Sequence, residues 1–247
     1  MRGIILAAGR GRRLEPVLPE KPKCLLTFGE KSLIQRQITA LKQVGIDQVV
    51  VVVGFEKQQI IDHLKNEPCS ITYTENPLFG ETNTIYSLWL AREFFDDSFI
   101  YFNADVLFDY RIVKRLCEGE ETSNLACIPG PCGEEEVKVV VGNNRIVGIG
   151  KTIPKEKCYG EFIGIAKFDK KDNRRFAEIL DECIKDKSTW NSFFEYAVDF
   201  LAKEADLKAV DISDLPATEI DFPEDLERAR WEVFPRLVNI EESGYEE

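Results

Sequence analysis

Residues 3–8 form an unbroken apolar run, Gly-Ile-Ile-Leu-Ala-Ala, that stops at Gly9. That is the pattern of a strand buried on both faces of a parallel sheet. Residues 32–44 then carry apolar side chains at 33, 34, 38, 41 and 44, the spacing of a helix with one buried face. The two rhythms repeat. Five consecutive valines within 48–54 predict a β-branched strand, 57–64 a helix, and 69–74 an alternating strand. Residues 84–95 carry a helical stripe at 85, 88, 91 and 95, and 98–102 predict a further strand. Strands alternating with helices predict a parallel sheet with right-handed crossovers.

Beyond Asp109 the rhythm changes. Short strand-like pieces at 125–129, 137–141, 145–149 and 161–168 are broken by Gly and Pro, and predict an antiparallel or mixed insertion. Helices at 173–186 and 190–203, a strand at 207–212 and a Pro-led helix at 223–234 complete the pattern. The chain therefore reads as α/β and Rossmann-like. A mostly parallel central sheet carries helices on both faces, with a small mixed-strand insertion in the C-terminal half. Residues 1–240 read as one domain and 241–247 as an acidic mobile tail.

Composition narrows the function. Lys plus Arg number 32 and Asp plus Glu 44, a net charge of −12. Such a chain is a poor partner for nucleic acid or an anionic lipid surface. No apolar run approaches the ~18 residues of a membrane span. The apolar N-terminus is followed by Gly-Arg-Gly-Arg-Arg without a cleavage site, so a buried strand and a cytoplasmic protein are expected. Seven cysteines without C-x-x-C spacing read as reduced thiols. A lone histidine, His63, argues against a Ser-His-Asp triad. Abundant Lys and Glu with a single Met lean towards a heat-adapted source.

The candidate chemistry starts where the first strand ends. Leu6-Ala7-Ala8-Gly9-Arg10-Gly11-Arg12-Arg13-Leu14 is followed by Pro22-Lys23. Small residues let backbone N–H groups approach an oxyanion, and the cations can neutralise a polyphosphate. Leu14 stands where a dinucleotide fingerprint needs a third glycine, and there is no Gly-Lys-Ser/Thr. Asp105 follows the apolar strand ending at Phe102, where α/β folds place their chemistry. Asp221 stands before the last helix, 116 residues away, and the spacing alone does not bring the two together.

The loop resembles the signature L-A-A-G-x-G-x-R-L…P-K of the nucleotidyltransferase superfamily that activates sugar phosphates and phospho-alcohols. Thr82-Asn83-Thr84-Ile85-Tyr86-Ser87-Leu88, the segment 160–168 and the segment 218–226 are similar to bacterial phosphocholine cytidylyltransferases and the related inositol-1-phosphate group. Sugar-specific members carry P-x-G-L-A at the base-binding segment, where this chain has Pro77-Leu78-Phe79-Gly80-Glu81. Some relatives have Asp-Ala-Asp where this chain has Asn103-Ala104-Asp105.

The resemblance implies transfer of CMP from CTP to a phosphorylated alcohol, with Mg²⁺ as cofactor and pyrophosphate released. Arg13, Lys23 and Asp105 would be catalytic, and Asp105 and Asp221 would hold the metal, with Glu219 as a possible outer group. Leu6, Ala7, Ala8, Gly9, Gly11, Arg12, Gly80, Thr82, Asn83 and Ser87 would contact the nucleotide, and Tyr159, Glu161 and Trp190 the acceptor. Inositol-1-phosphate ranks slightly ahead of phosphocholine and 2-aminoethylphosphonate, because activated inositol phosphate suits a heat-adapted cell. The aromatics at 190–200 read either as core or as a cage for a quaternary ammonium. A sugar-1-phosphate nucleotidyltransferase and a non-catalytic nucleotide-sensing module remain the alternatives.

Overall fold

β1 (Arg2–Ala7) runs through the middle of the main sheet, and its alternate side chains feed two different cores. Ile4 and Leu6 enter one, Ile5 and Ala7 the other. A strand buried on both faces has no polar side, which is why its sequence shows no alternation. The computed structural model describes residues 1–14, 17, 20–118 and 121–242, the side chains of 239–242 excepted. The acidic tail expected from 241 onward therefore lies, from residue 243, outside the described residues.

After β1, single 3₁₀ turns at Arg12–Leu14 and Lys23–Leu25 lead to the short hairpin β2 (Thr27–Phe28) and β3 (Lys31–Ser32). Then follow α1 (Leu33–Gln43), β4 (Gln48–Val53), α2 (Lys57–Leu64), β5 (Ser70–Glu75), α3 (Thr84–Leu90), β6 (Phe99–Asn103), β7 (Val106–Phe108) and α4 (Arg111–Cys117). The second half comprises β8 (Ser123–Pro129), β9 (Lys138–Gly142), β10 (Arg145–Gly150), β11 (Gly160–Phe168), α5 (Lys170–Ile184) and α6 (Glu195–Glu204). β12 (Leu207–Asp211), β13 (Ala217–Glu219), α7 (Pro223–Arg228) and α8 (Phe234–Glu242) close it, with a π turn at Ala229–Val233 joining the last two helices.

β6, β1, β4 and β5 lie side by side and parallel, as the alternating first half predicts. The pieces expected as an insertion extend this same sheet. Along one edge β11 pairs antiparallel with β6 at one end and β9 at the other, and along its other edge it pairs with β8. Its nine residues are long enough to reach both halves. A register break between Phe162 and Ala166, with Gly164 at φ +76°, bends it where the partners change. β10 joins β9, and β12 joins β8 in parallel.

α1, α2 and α4 cover the face that receives Ile5 and Ala7, while α3, α5 and α6 cover the other. α1 begins with a capping box between Ser32 and Gln35. A third, smaller core joins Leu14 and Leu26 to Leu107, Ile220, Leu226, Val233 and Leu237. Each such apolar side chain contributes ~1.5–3 kcal/mol by burial. The consequence is positional. The turns beside Arg13 and Lys23 are packed against the helices that follow Asp221.

Candidate active site

Asp105 lies just beyond β6, between that strand and β7. β7 pairs antiparallel with β13, Glu219 opposite Val106, and the N–H of Ile220 donates to the carbonyl of Asp105 at 3.1 Å. This three-residue ribbon brings Asp221 across 116 positions to Asp105. The Lys23 ammonium bridges them, 2.9 Å from Asp105 Oδ2 and 2.6 Å from Asp221 Oδ1. Burial alone would lower the Lys23 pKa, but the two carboxylates outweigh it and hold the ammonium charged well above its ordinary range. Burial likewise opposes ionisation of Asp221, and the charge on Lys23 overcomes it, so Asp221 ends below the usual carboxylate value. Asp221 does not cap the following helix. Asp225 Oδ2 accepts from the N–H groups of Asp221 and Phe222, leaving the Asp221 side chain for the cleft.

Gly11 shows why the loop is glycine-rich. Its φ is +65°, and a Cβ there would stand 2.7 Å from Lys23 Cγ. The glycine lets the Lys23 stem lie against the loop and reach the carboxylates. Arg13 stands 3.5 Å from Asp221 Oδ2, lies over the Phe222 ring at 4.7 Å, and is 3.5 Å from Glu135.

Lys23, Asp105 and Asp221 share a cleft of about 210 Å³, and Arg13 stands beside Asp221 outside its lining. Leu6, Ala7, Gly9, Gly11, Lys23, Asn83, Asp105 and Asp221 line it, with Thr84, Asn103 and Glu219. Glu219 accepts from Asn103 Nδ2 at 2.6 Å, and Asn103 Oδ1 accepts from Tyr101 Oη at 2.5 Å. Burial first, then the charges of Asp105 and Asp221, push the Glu219 carboxyl far up.

The donor set fits Mg²⁺. Asp105 Oδ1 is buried without a hydrogen-bond partner, a carboxylate oxygen left for a cation. Among the described residues no group of three or more His, Cys, Asp or Glu forms a ready-made metal cage. Mg²⁺ needs none, since it takes one or two carboxylates and completes its shell with waters and substrate phosphates.

Other expected residues sit elsewhere. Thr82 and Ser87 are spent on structure, both hydroxyls accepting from the Nδ2 of buried Asn76 at 3.0 Å. Ser87 is 5% exposed and does not reach the cleft wall. Gly80 faces open space. Trp190 is a packing residue, because its Nε1 donates to the carbonyl of Ile184 and its ring lies 5.0 Å from that of Tyr86. Tyr159 packs against the larger core. Glu161 points to the opposite side of β11 from Phe162, into an adjoining cavity of about 660 Å³ that it shares with Arg228 and Asp225 and that meets the cleft at Glu219 and Asp221. Burial and Glu136 push its carboxyl up to about 7.

Val137, Lys151, Phe162, Phe193 and Glu195 also line the cleft. Phe162 falls in the 160–168 segment and Phe193 and Glu195 in the 190–200 segment that the sequence singles out, whereas nothing in the sequence marks Val137 or Lys151. Strand alternation also gives Phe162, since choosing Glu161 for one face of β11 puts it on the other. The backbone of the 190–194 turn reaches the start of α3, Asn83 N–H donating to the Trp190 carbonyl and Phe194 N–H to Thr84 Oγ1.

A family model described as a MobA-like NTP transferase domain matches residues 3–154. A choline-phosphate cytidylyltransferase of Streptococcus pneumoniae is 39% identical over 100 residues, which cover 40% of this chain and 43% of that protein. A CTP:phosphoglutamine cytidylyltransferase of Campylobacter jejuni is 27% identical over 253 residues, covering 92% of this chain and 98% of that one. The solved inositol-1-phosphate CTP transferase from T. maritima superposes with a TM-score of 0.79 over 96% of this chain and 95% of its own, at 24% identity, a likeness of fold. Among the described residues no helix is long and apolar enough to cross a membrane.

Proposed function

Because the chain belongs to the family of MobA-like NTP transferase domains, we propose that it transfers CMP from CTP to a small phosphorylated alcohol and releases pyrophosphate. The observation that carries this reading is the meeting of Lys23, Arg13, Asp105 and Asp221 at the C-terminal edge of the central strands. Cations for a triphosphate stand there beside carboxylates for a metal. The named activities of the bacterial relatives supply the nucleotide and the acceptor class.

The chemistry assigned to this chain is positioning and charge. The backbone at Ala8–Gly11 cradles the triphosphate, and Arg13 neutralises it. Lys23 leaves the carboxylates and turns to the α-phosphate, where negative charge develops. Asp105 and Asp221 would hold Mg²⁺, which would supply a divalent charge against the negative charge of the reacting phosphates. An acceptor phosphate oxygen attacks the α-phosphorus in line, and no side chain becomes covalently attached. The base lies against the 76–83 segment, whose shape Asn76 fixes. Among acceptors, inositol-1-phosphate ranks ahead of phosphocholine and 2-aminoethylphosphonate.

The test is pyrophosphate release with CTP, UTP, ATP and GTP against a panel of phosphomonoesters and 2-aminoethylphosphonate. CTP is expected to lead, and Asp105→Asn or Asp221→Asn to abolish turnover in a folded protein. Equal use of purine triphosphates would overturn the cytidylyl assignment and favour a sugar-nucleotide enzyme. Near-native rates in both Asn variants would overturn the metal assignment.

A further inference from the structure

Glu195 opens α6 and lines the same cleft as the two aspartates. It is 4% exposed, and its Oε2 is enclosed without a hydrogen-bond partner. A buried carboxyl oxygen left bare costs free energy, and native structures retain few of them. Neither the triphosphate cradle nor the carboxylate pair uses this one. The Glu219 carboxyl lies within its electrostatic reach, and the other side chains lining the cleft near it are apolar or cationic. Phe162 and Val137 are buried, while Phe193 is exposed and carries the Lys151 ammonium over its ring at 4.7 Å.

We propose that Glu195 determines acceptor specificity, its Oε2 taking a hydrogen bond from a hydroxyl on the part of the acceptor remote from the phosphate. The acceptor is then a neutral polyol carrying one phosphate, not a trimethylammonium alcohol. This deepens the cytidylyltransferase reading and rests on it.

Two features carry the choice. A quaternary ammonium has no N–H or O–H to donate to Oε2 and meets it by charge alone, which the Lys151 ammonium opposes, whereas a hydroxyl donates to it directly. A quaternary ammonium also seeks an open aromatic face. The exposed ring lining the cleft, Phe193, already holds a cation, and Lys151 repels a second one. The same repulsion places a primary ammonium behind a hydroxyl. A site built to receive a donor rejects analogues that lack one by large factors.

The experiment measures kcat/KM at saturating CTP and Mg²⁺ for inositol-1-phosphate, phosphoethanolamine and phosphocholine, in the wild type, Glu195→Gln and Glu195→Ala. CTP binding without acceptor is followed by calorimetry to show that each variant folds and loads nucleotide. The wild type is expected to prefer the polyol over phosphocholine by at least tenfold. Glu195→Ala is expected to shrink that ratio by tenfold or more, and Glu195→Gln, which keeps an acceptor oxygen, to shrink it less. A wild-type preference for either amine, or an equal loss on all three acceptors in Glu195→Ala, overturns the proposal while CMP transfer stands. No pyrophosphate from CTP with any acceptor overturns the underlying reading, and the proposal with it.

Discussion

Lys23 is the residue on which the site turns. Its ammonium sits between Asp105 and Asp221 as an internal counter-ion. Lys23→Met keeps the length and removes the charge, so two carboxylates face each other in a half-buried cleft. Removing one partner of such a pair is strongly destabilising, by ~3–5 kcal/mol when fully buried. Without nucleotide, this variant is expected to bind Mn²⁺ several-fold more tightly than the wild type, read from free Mn²⁺ by electron paramagnetic resonance. Its turnover is expected to fall at least a hundredfold. Unchanged Mn²⁺ affinity would show that Lys23 does not compete for the metal position. Lys23 was legible in the sequence through Pro22-Lys23. Its bridge to two carboxylates was not, because it depends on the β7–β13 pairing, for which three-residue strands give no periodicity.

At the scale of elements, the loop after β1 and the segment before α3 do different work. In the loop, Gly11→Ala adds a Cβ at positive φ and against the Lys23 stem. The backbone term is ~1–2 kcal/mol, and KM for CTP should rise more than the stability loss explains, since Lys23 is displaced. A stability loss with KM unchanged would reduce Gly11 to a folding role. In the second segment, Asn76 is the organiser: its amide binds Thr82 and Ser87, and its Oδ1 accepts from the N–H of Leu78. Asn76→Ala leaves two hydroxyls without their donor and is expected to cost ~2 kcal/mol and to blur the preference for CTP over ATP. Thermal unfolding and competition kinetics would check both effects. The alternating βα rhythm made the parallel half of the sheet legible. The second half was legible as strands but not as part of the same sheet, because nothing in the β11 sequence marks the change of partners at Gly164. The role of Trp190 was not legible for a related reason: an aromatic at helical spacing looks the same whether it faces a cleft or, as its Nε1 does here, donates to a backbone carbonyl.

For the whole molecule, the buried acids set the response to pH. Burial pushes the Glu195 carboxyl up to about 7, from an ordinary 4.5. Between those values the folded chain binds more protons than the unfolded one, so stability is lost as the pH rises through this window. The full difference is on the order of 3 kcal/mol, and Glu161, more open to water, acts in the same direction with less weight. In metal-free buffer the melting temperature is expected to fall from pH 5 to pH 8, and to fall less in Glu195→Gln. A flat profile in both proteins would mean that Glu195 is not held protonated. The metal must be absent from this measurement, because Glu219 is also pushed up, in part by the charges of the carboxylate pair.

The β7–β13 ribbon also has a consequence in time. Its partners are about 110 positions apart, whereas β4 and β5 meet across a single helix. Closing long loops carries the larger entropic cost, and contacts of high sequence separation slow folding. The parallel layers can assemble while the chain segment bearing Asp221 is still undocked, and such a molecule would be nearly complete and chemically inert. Refolding should therefore show the return of aromatic fluorescence ahead of the return of turnover. Shortening that lag would require stabilising the small core around Leu107 and Ile220, not the larger sheet.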